Sequence, residues 1–140
     1  QKKGPPPEIN LFNEKNNGET VLNLIKKNYI KSAHDVSLGG IITAIAKMCI
    51  KGKKGINLKK PNYLIQQFEY LFSEDQGRDI IEIEKNNFDN VKEILSKSSV
   101  HYDELGIITK KDIIIDSKSK ITIDELSESN KTWLTNYMSK

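Results

Sequence analysis

The chain has 140 residues, one cysteine and a formal net charge of +3. That length suits one domain, able to bury roughly 70% of its unfolded surface without a metal or a disulfide, and the single cysteine excludes an internal disulfide framework. The apolar runs fall short of the ~20 residues that span a bilayer and no signal segment opens the chain, so a soluble, cytoplasmic protein with no membrane partner is expected.

Residues 1–18, with the run KKGPPPEINLFNEKNNGE, are polar and proline-bearing. Three successive prolines favour an extended, unbonded conformation, so the segment reads as a linker or lead-in, with a single α/β domain over 19–140. The spacing of Val21, Leu22, Leu24, Ile25 and Tyr29 predicts a helix over about 19–28. IKSAHDVS follows as a short strand ending near Val36. Ser37 is placed to cap a helix over 38–50, whose apolar stripe holds Leu38, Ile41, Ile42, Ile45, Met48 and Cys49. Gly52 is the expected C-cap.

INL reads as a short strand, and Pro61 suits the first turn of a helix packed through Tyr63, Leu64, Phe68, Leu71 and Phe72. RDIIEIE over 78–84 has strand character, with Ile81 and Ile83 on one face and Ile80 on the other. FDNVKEILSKS is an amphipathic helix through Phe88, Val91, Ile94 and Leu95. VHYDELGIIT and DIIID read as strands, and SKSK as a turn before ITI, giving an antiparallel hairpin. The C-terminal stretch is expected to be helical and docked through Trp133, Leu134, Tyr137 and Met138. Interspersed helices and strands of this kind predict an α+β (mixed α/β) fold: a mixed, largely antiparallel sheet covered by helices.

Two stretches could carry chemistry. The first is SAHDVSLGG, where a strand ends in His34 and Asp35 and a helix opens behind Gly39 and Gly40. Such a corner can bind an anion through backbone N–H groups at a helix N-terminus, or the glycines can simply permit a tight turn. The second is LFSEDQGRDI, which gathers Glu74, Asp75, Gln76, Gly77 and Arg78. Arg78 is the only arginine beside 21 lysines. A guanidinium offers a planar fork of five donors that lysine lacks. It either binds a carboxylate, a phosphate or a set of backbone carbonyls, or pairs with Glu74, Asp75 or Asp35 to hold its own loop closed. Cys49 on an apolar stripe reads as a buried, inert thiol, and His101 as a sheet-surface residue. There is no zinc spacing, no Walker loop and no nucleophile elbow. The lysines are interleaved with 19 acidic residues, where a nucleic-acid face would cluster them, so no nucleic-acid partner is expected.

Taken together, AHDVSLGGIITAIAKM and LFSEDQGRDIIEI resemble the C-terminal domain of the large subunit of phosphoribosylformylglycinamidine synthases. GPPPEINLFNEKNNGETV is similar to the lead-in to that domain, and DELSESNKTWLTNYM to its end. The family has an acidic residue where this chain has Leu38, and commonly a small one where it has Asp75.

The resemblance implies the C-terminal fold of aminoimidazole ribonucleotide synthetase-like proteins. It implies an ATP-dependent C–N ligase of purine synthesis, in which ATP and magnesium activate the amide oxygen of formylglycinamide ribonucleotide as an iminophosphate. Ammonia from glutamine then displaces phosphate. The implied partners are the preceding domains of the same chain, a glutaminase subunit and a small accessory subunit. The family's catalytic histidine and its main nucleotide and magnesium ligands lie on earlier domains. This stretch therefore carries no catalytic residue and no metal ligand by carry-over, no tightly bound cofactor is expected on it, and alone it should be inactive. His34, Asp35, Gly39, Gly40, Glu74, Gln76, Gly77 and Arg78 match the two motifs and are the cleft candidates. Alternatives are another member of the superfamily (aminoimidazole ribonucleotide synthetase, thiamine-monophosphate kinase, selenophosphate synthetase) or a non-enzymatic α+β binding module such as an RNA-binding sandwich, which would need exposed sheet aromatics and a basic stripe.

Overall fold

The computed structural model describes residues 8–59, 66–117 and 119–139. The contacts divide the chain into two units, one combining the residues through Ala44 with 72–103, the other combining 45–71 with 104–140.

The first unit opens with helix α1, Leu11–Lys26. Asn10 caps it, its side chain accepting the Asn13 N–H at 3.1 Å. The helix closes at Asn28, which takes a left-handed φ of 56° while Tyr29 N–H returns to the Leu24 carbonyl at 3.1 Å. Asparagine tolerates that conformation better than most residues. Residues 11–18, part of the stretch read as lead-in, are thus helical, and the helix predicted over 19–28 starts two turns earlier. Strand β1, Ile30–Asp35, then pairs antiparallel with a later strand, Asp79–Ile83. Helix Phe88–Lys97, preceded by one 3-10 turn, covers the pair together with α1. Leu24, Val91 and Leu95 form the centre of this core, with Tyr29, Ile30, Ile81, Ile83, Ile94 and Val100 packed on it. Ile81 and Ile83 share that face and Ile80 is buried on the other, as period-two alternation requires.

Helix α2, Gly40–Gly52, begins in the first unit and continues into the second. It starts two residues later than the reading from Leu38, and the Ser37 carbonyl, not its hydroxyl, accepts the Gly40 N–H at 2.9 Å. At its other end Gly52 stays helical. Lys53 takes the left-handed φ of 51°, and Lys54 N–H closes on the Cys49 carbonyl at 3.2 Å.

In the second unit β2, Gly55–Leu58, is flanked by two strands. Short helix α3 is Gln67–Phe72, the first unit's pairing strand is β3, and its second covering helix is α4. Next in the chain, β4, Gly106–Thr109, runs antiparallel to β2, while β5, Asp112–Ile115, runs parallel to it on the other side. The predicted hairpin forms between β5 and β6, Ser119–Thr122, in antiparallel register. The sheet order is β4-β2-β5-β6. Gly55 is needed where β2 meets β5, because a Cβ there would run into the Asp112 backbone. Helix α5, Ile123–Met138, opens with a capping box in which Thr122 and Glu125 satisfy one another's backbone N–H groups.

The α+β class with mostly antiparallel pairing is as read from sequence, although the strands fall into a two-stranded and a four-stranded sheet. Beyond the helix starts, three details differ. Residues 100–105 are not strand: the ladder with β2 covers 106–109, with one further bond from Lys59 N–H to the Leu105 carbonyl; His101 lies in a loop. Trp133, Leu134, Tyr137 and Met138 are all more than half exposed on α5, so they do not dock it within this chain. Gly52 is not the left-handed residue at the end of α2. Pro61, Tyr63 and Leu64 lie outside the described residues.

Leu24 is fully buried while Leu22, on the same helix, is half exposed. Leu24→Ala is expected to cost about 3 kcal/mol of stability, and Leu22→Ala well under about 1 kcal/mol. Urea unfolding followed by circular dichroism measures both.

Candidate functional site

The antiparallel register sets Asp35, the last residue of β1, opposite Asp79, the first of β3. The loop that leaves β1 and the loop that enters β3 therefore emerge at the same end of the pair. One more bond extends the ladder, from Val36 N–H to the Arg78 carbonyl at 2.8 Å. Val36 is buried.

The first loop turns on two glycines with positive φ, Gly39 at 84° and Gly40 at 69°. Gly39 is required twice over. Its conformation suits glycine, and a Cβ there would collide with Thr43, whose hydroxyl donates to the Gly39 carbonyl at 3.0 Å. The Gly39 N–H, at the N-terminus of α2, donates to Glu74 Oε1 at 2.7 Å. The corner that the sequence presents as an anion site thus holds an anion already, the carboxylate of the second loop. Leu38 stands beside it, 80% exposed.

The second loop is held by Arg78. Its Nε donates to the Asp75 carbonyl at 3.2 Å and a terminal nitrogen to the Ser73 carbonyl at 2.5 Å, with the Asp75 carboxylate at 3.8 Å. The fork is used on backbone carbonyls of its own loop, which is the geometry lysine cannot copy. Gly77 takes φ 69°, and its carbonyl accepts from Asn17 Nδ2 at 2.8 Å.

Between the loops lies a cleft of about 360 Å³. Of the eight residues singled out from sequence, Asp35, Glu74, Gln76, Gly77 and Arg78 line it. Gly39 adjoins it through Glu74. His34 and Gly40 are not in the lining. His34 Nδ1 lies 2.6 Å from the Asp35 carbonyl; since a carbonyl can only accept, this nitrogen carries the proton. Two lining carboxylates escaped the sequence reading, Glu14 and Asp79. Glu14 sits in the stretch taken for lead-in, and no local signal marks it.

Four acidic residues, Glu14, Asp35, Glu74 and Asp79, therefore line a cleft whose one guanidinium, that of Arg78, is already committed to its loop. This charge balance disfavours a phosphate in the cleft. Asp79 registers the crowding. Desolvation of its carboxyl, then the negative charges of Asp35 and Glu14, push its pKa above the ordinary carboxylate value, although the residue as a whole is exposed. Among the described residues no group of three or more His, Cys, Asp or Glu is placed to hold a metal ion.

Residues 1–117 match the family described as AIR synthase related protein, C-terminal domain. The chain is 68% identical over 138 residues to the phosphoribosylformylglycinamidine synthase subunit PurL of Pelagibacter ubique (strain HTCC1062), covering 99% of this chain and 19% of that protein. Among solved structures, PurLQS from Thermotoga maritima superposes with a TM-score of 0.74 at 19% identity, covering 86% of this chain and 22% of that one. T. maritima PurL complexed with ATP gives 0.68 at 18% identity, over 81% of this chain and 21% of that one. These two likenesses bear on the fold alone.

Because the Asp79 pKa is raised on folding, the folded state pays a cost that is fully present above the raised pKa and absent below the ordinary carboxylate value. Asp79→Asn is expected to melt at a higher temperature than the parent at pH 7, with the gap closing as pH falls through that window. Thermal unfolding across a pH series checks it; a gap that persists unchanged in acid would remove the electrostatic explanation.

Proposed function

Because the chain belongs to the family of AIR synthase related protein C-terminal domains, we propose that it is the last flanking domain of a phosphoribosylformylglycinamidine synthase. The likeness of nearly the whole chain to a synthase subunit five times its size carries this reading. On it, residues 19–140 form the single C-terminal domain and 1–18 lead into it, the first turns of α1 included.

The complete enzyme would join formylglycinamide ribonucleotide and glutamine-derived ammonia at the expense of ATP, forming formylglycinamidine ribonucleotide by C–N ligation. A T. maritima PurL holding ATP supports nucleotide binding by the complete protein, and a PurLQS assembly supports partner subunits, read here as a glutaminase and a small accessory protein. The preceding domains of the same chain would be the nearest partners. On this reading metal and nucleotide are assigned to those other domains, and no step is routed through them here. On this reading the setting would be cytoplasmic, with no nucleic-acid or membrane partner.

The work of this chain is then architectural. The Glu74 carboxylate fixes Gly39 and Arg78 fixes the loop that carries Glu74. Together they give one rim of a larger cleft a fixed shape, and positioning of that kind contributes to catalysis without touching the reacting atoms. The acidic lining suits a cationic surface on the neighbouring domain better than it suits a phosphate.

The purified chain alone is expected to show neither ATP hydrolysis nor amidine formation above background, and measurable turnover by it would overturn the reading. In the full-length synthase Arg78→Lys is expected to lower kcat/KM roughly tenfold, the order of one lost charge-assisted hydrogen bond. Steady-state kinetics decide; an unchanged kcat/KM would mean that the 73–78 loop does not shape the working cleft.

A further inference from the structure

Helix α1 reaches the second loop through two side chains one turn apart. Asn17 Nδ2 donates to the Gly77 carbonyl at 2.8 Å. Glu14 lies across the bare Cα of Gly77, where a Cβ would stand 2.7 Å from Oε1. Gly77 takes a left-handed φ of 69°, which suits glycine, at the point where the helix meets the loop. The same loop carries Glu74, which holds the Gly39 N–H, and Arg78, whose carbonyl holds the Val36 N–H. A continuous path of hydrogen bonds and contacts thus runs from α1 through the second loop to the first.

We propose that Asn17 is a positioning residue whose carboxamide fixes the tip of the 73–78 loop, and through it the meeting of Glu74 with Gly39 and the shape of the acidic cleft. The functional half of this inference rests on the reading of that cleft as part of a synthase; the structural half does not. Asn16, its neighbour on α1, supplies the comparison. Its Nδ2 donates to the Ser98 carbonyl at 2.6 Å, beyond the end of α4, and it contacts neither loop through that bond. Losing a carboxamide–carbonyl bond shifts a local opening equilibrium roughly fivefold.

Hydrogen exchange by mass spectrometry on the full-length synthase tests this. Asn17→Ala is expected to speed exchange in 73–78 roughly fivefold, Asn17→Gln, which keeps the donor, to restore part of the protection, and Asn16→Ala to leave this segment at the parental rate. Equal exchange in Asn17→Ala and parent overturns the proposal, as does an equal rise in Asn16→Ala. Should Asn17→Ala not fold, Asn17→Asp, of the same size but without the N–H, carries the same expectation. Kinetics on the same preparations separate the two halves. Faster exchange with a lower kcat/KM that Gln partly restores supports both; faster exchange with unchanged kcat/KM keeps the clamp and overturns the reading of the cleft.

Discussion

The Glu74 carboxylate meets the Gly39 N–H at the head of α2, across 35 positions of sequence. A helix N-terminus presents unsatisfied N–H groups and a partial positive charge, and a carboxylate placed there contributes about 1 kcal/mol at an exposed site. Its structural consequence is larger than that energy, because each loop alone has little to hold it. The first is a glycine turn with an exposed leucine at its tip. The second is drawn together by Arg78 on its own carbonyls and tied to α1 by Asn17. Their mutual bond turns two local conformations into one rim.

The same bond decides what the rim can bind. A glycine corner at a helix N-terminus invites a phosphate, but the donor that would greet it is occupied from within the chain. The surrounding Glu14, Asp35 and Asp79 repel a second anion, and desolvation, with the charges of Asp35 and Glu14 added to it, raises the Asp79 pKa. The chain as a whole is slightly basic, so the acidity is local, made by folding carboxylates from α1, β1, the second loop and β3 onto one place. A surface of this character selects for positive charge in whatever packs against it. That agrees with a role at a domain boundary rather than at a nucleotide's phosphates.

The elements set by local pattern were legible from residues. Period-two alternation in RDIIEIE gave β3 and its two faces, and the spacing of Phe88, Val91, Ile94 and Leu95 gave α4. Features set by distant partners were not. Residues 100–103 alternate apolar and polar as a strand would, but the described ladder with β2 stops at Gly106. The apolar residues of α5 mark an adhesive face without saying what meets it, and within this chain they stay exposed. The start of α1 was hidden because Asn10, which caps it, sits in a run of asparagines and charges that composition marks as loop. Gly18 in mid-helix reinforced that impression, although nothing crowds the position. In the site, the types of Glu74, Gly77 and Arg78 pointed to a constrained loop. Glu14 and Asn17 carried no signal, since their roles exist only once α1 is folded against Gly77.

The proximity of the two loops, by contrast, follows from topology once β1 and β3 have paired. In an antiparallel pair the C-terminal end of one strand lies beside the N-terminal end of the other. With Asp35 opposite Asp79, whatever follows the first must stand next to whatever precedes the second. The intervening residues, which include α2, β2 and α3, can lengthen or change without separating the loops, provided β1 and β3 stay paired. Leu24, Val91 and Leu95 enforce that pairing by giving Ile81 and Ile83 a surface to bury against. The hydrophobic core therefore acts on the cleft at one remove: it fixes the register, the register delivers the loops, and the carboxylate of Glu74 completes the join.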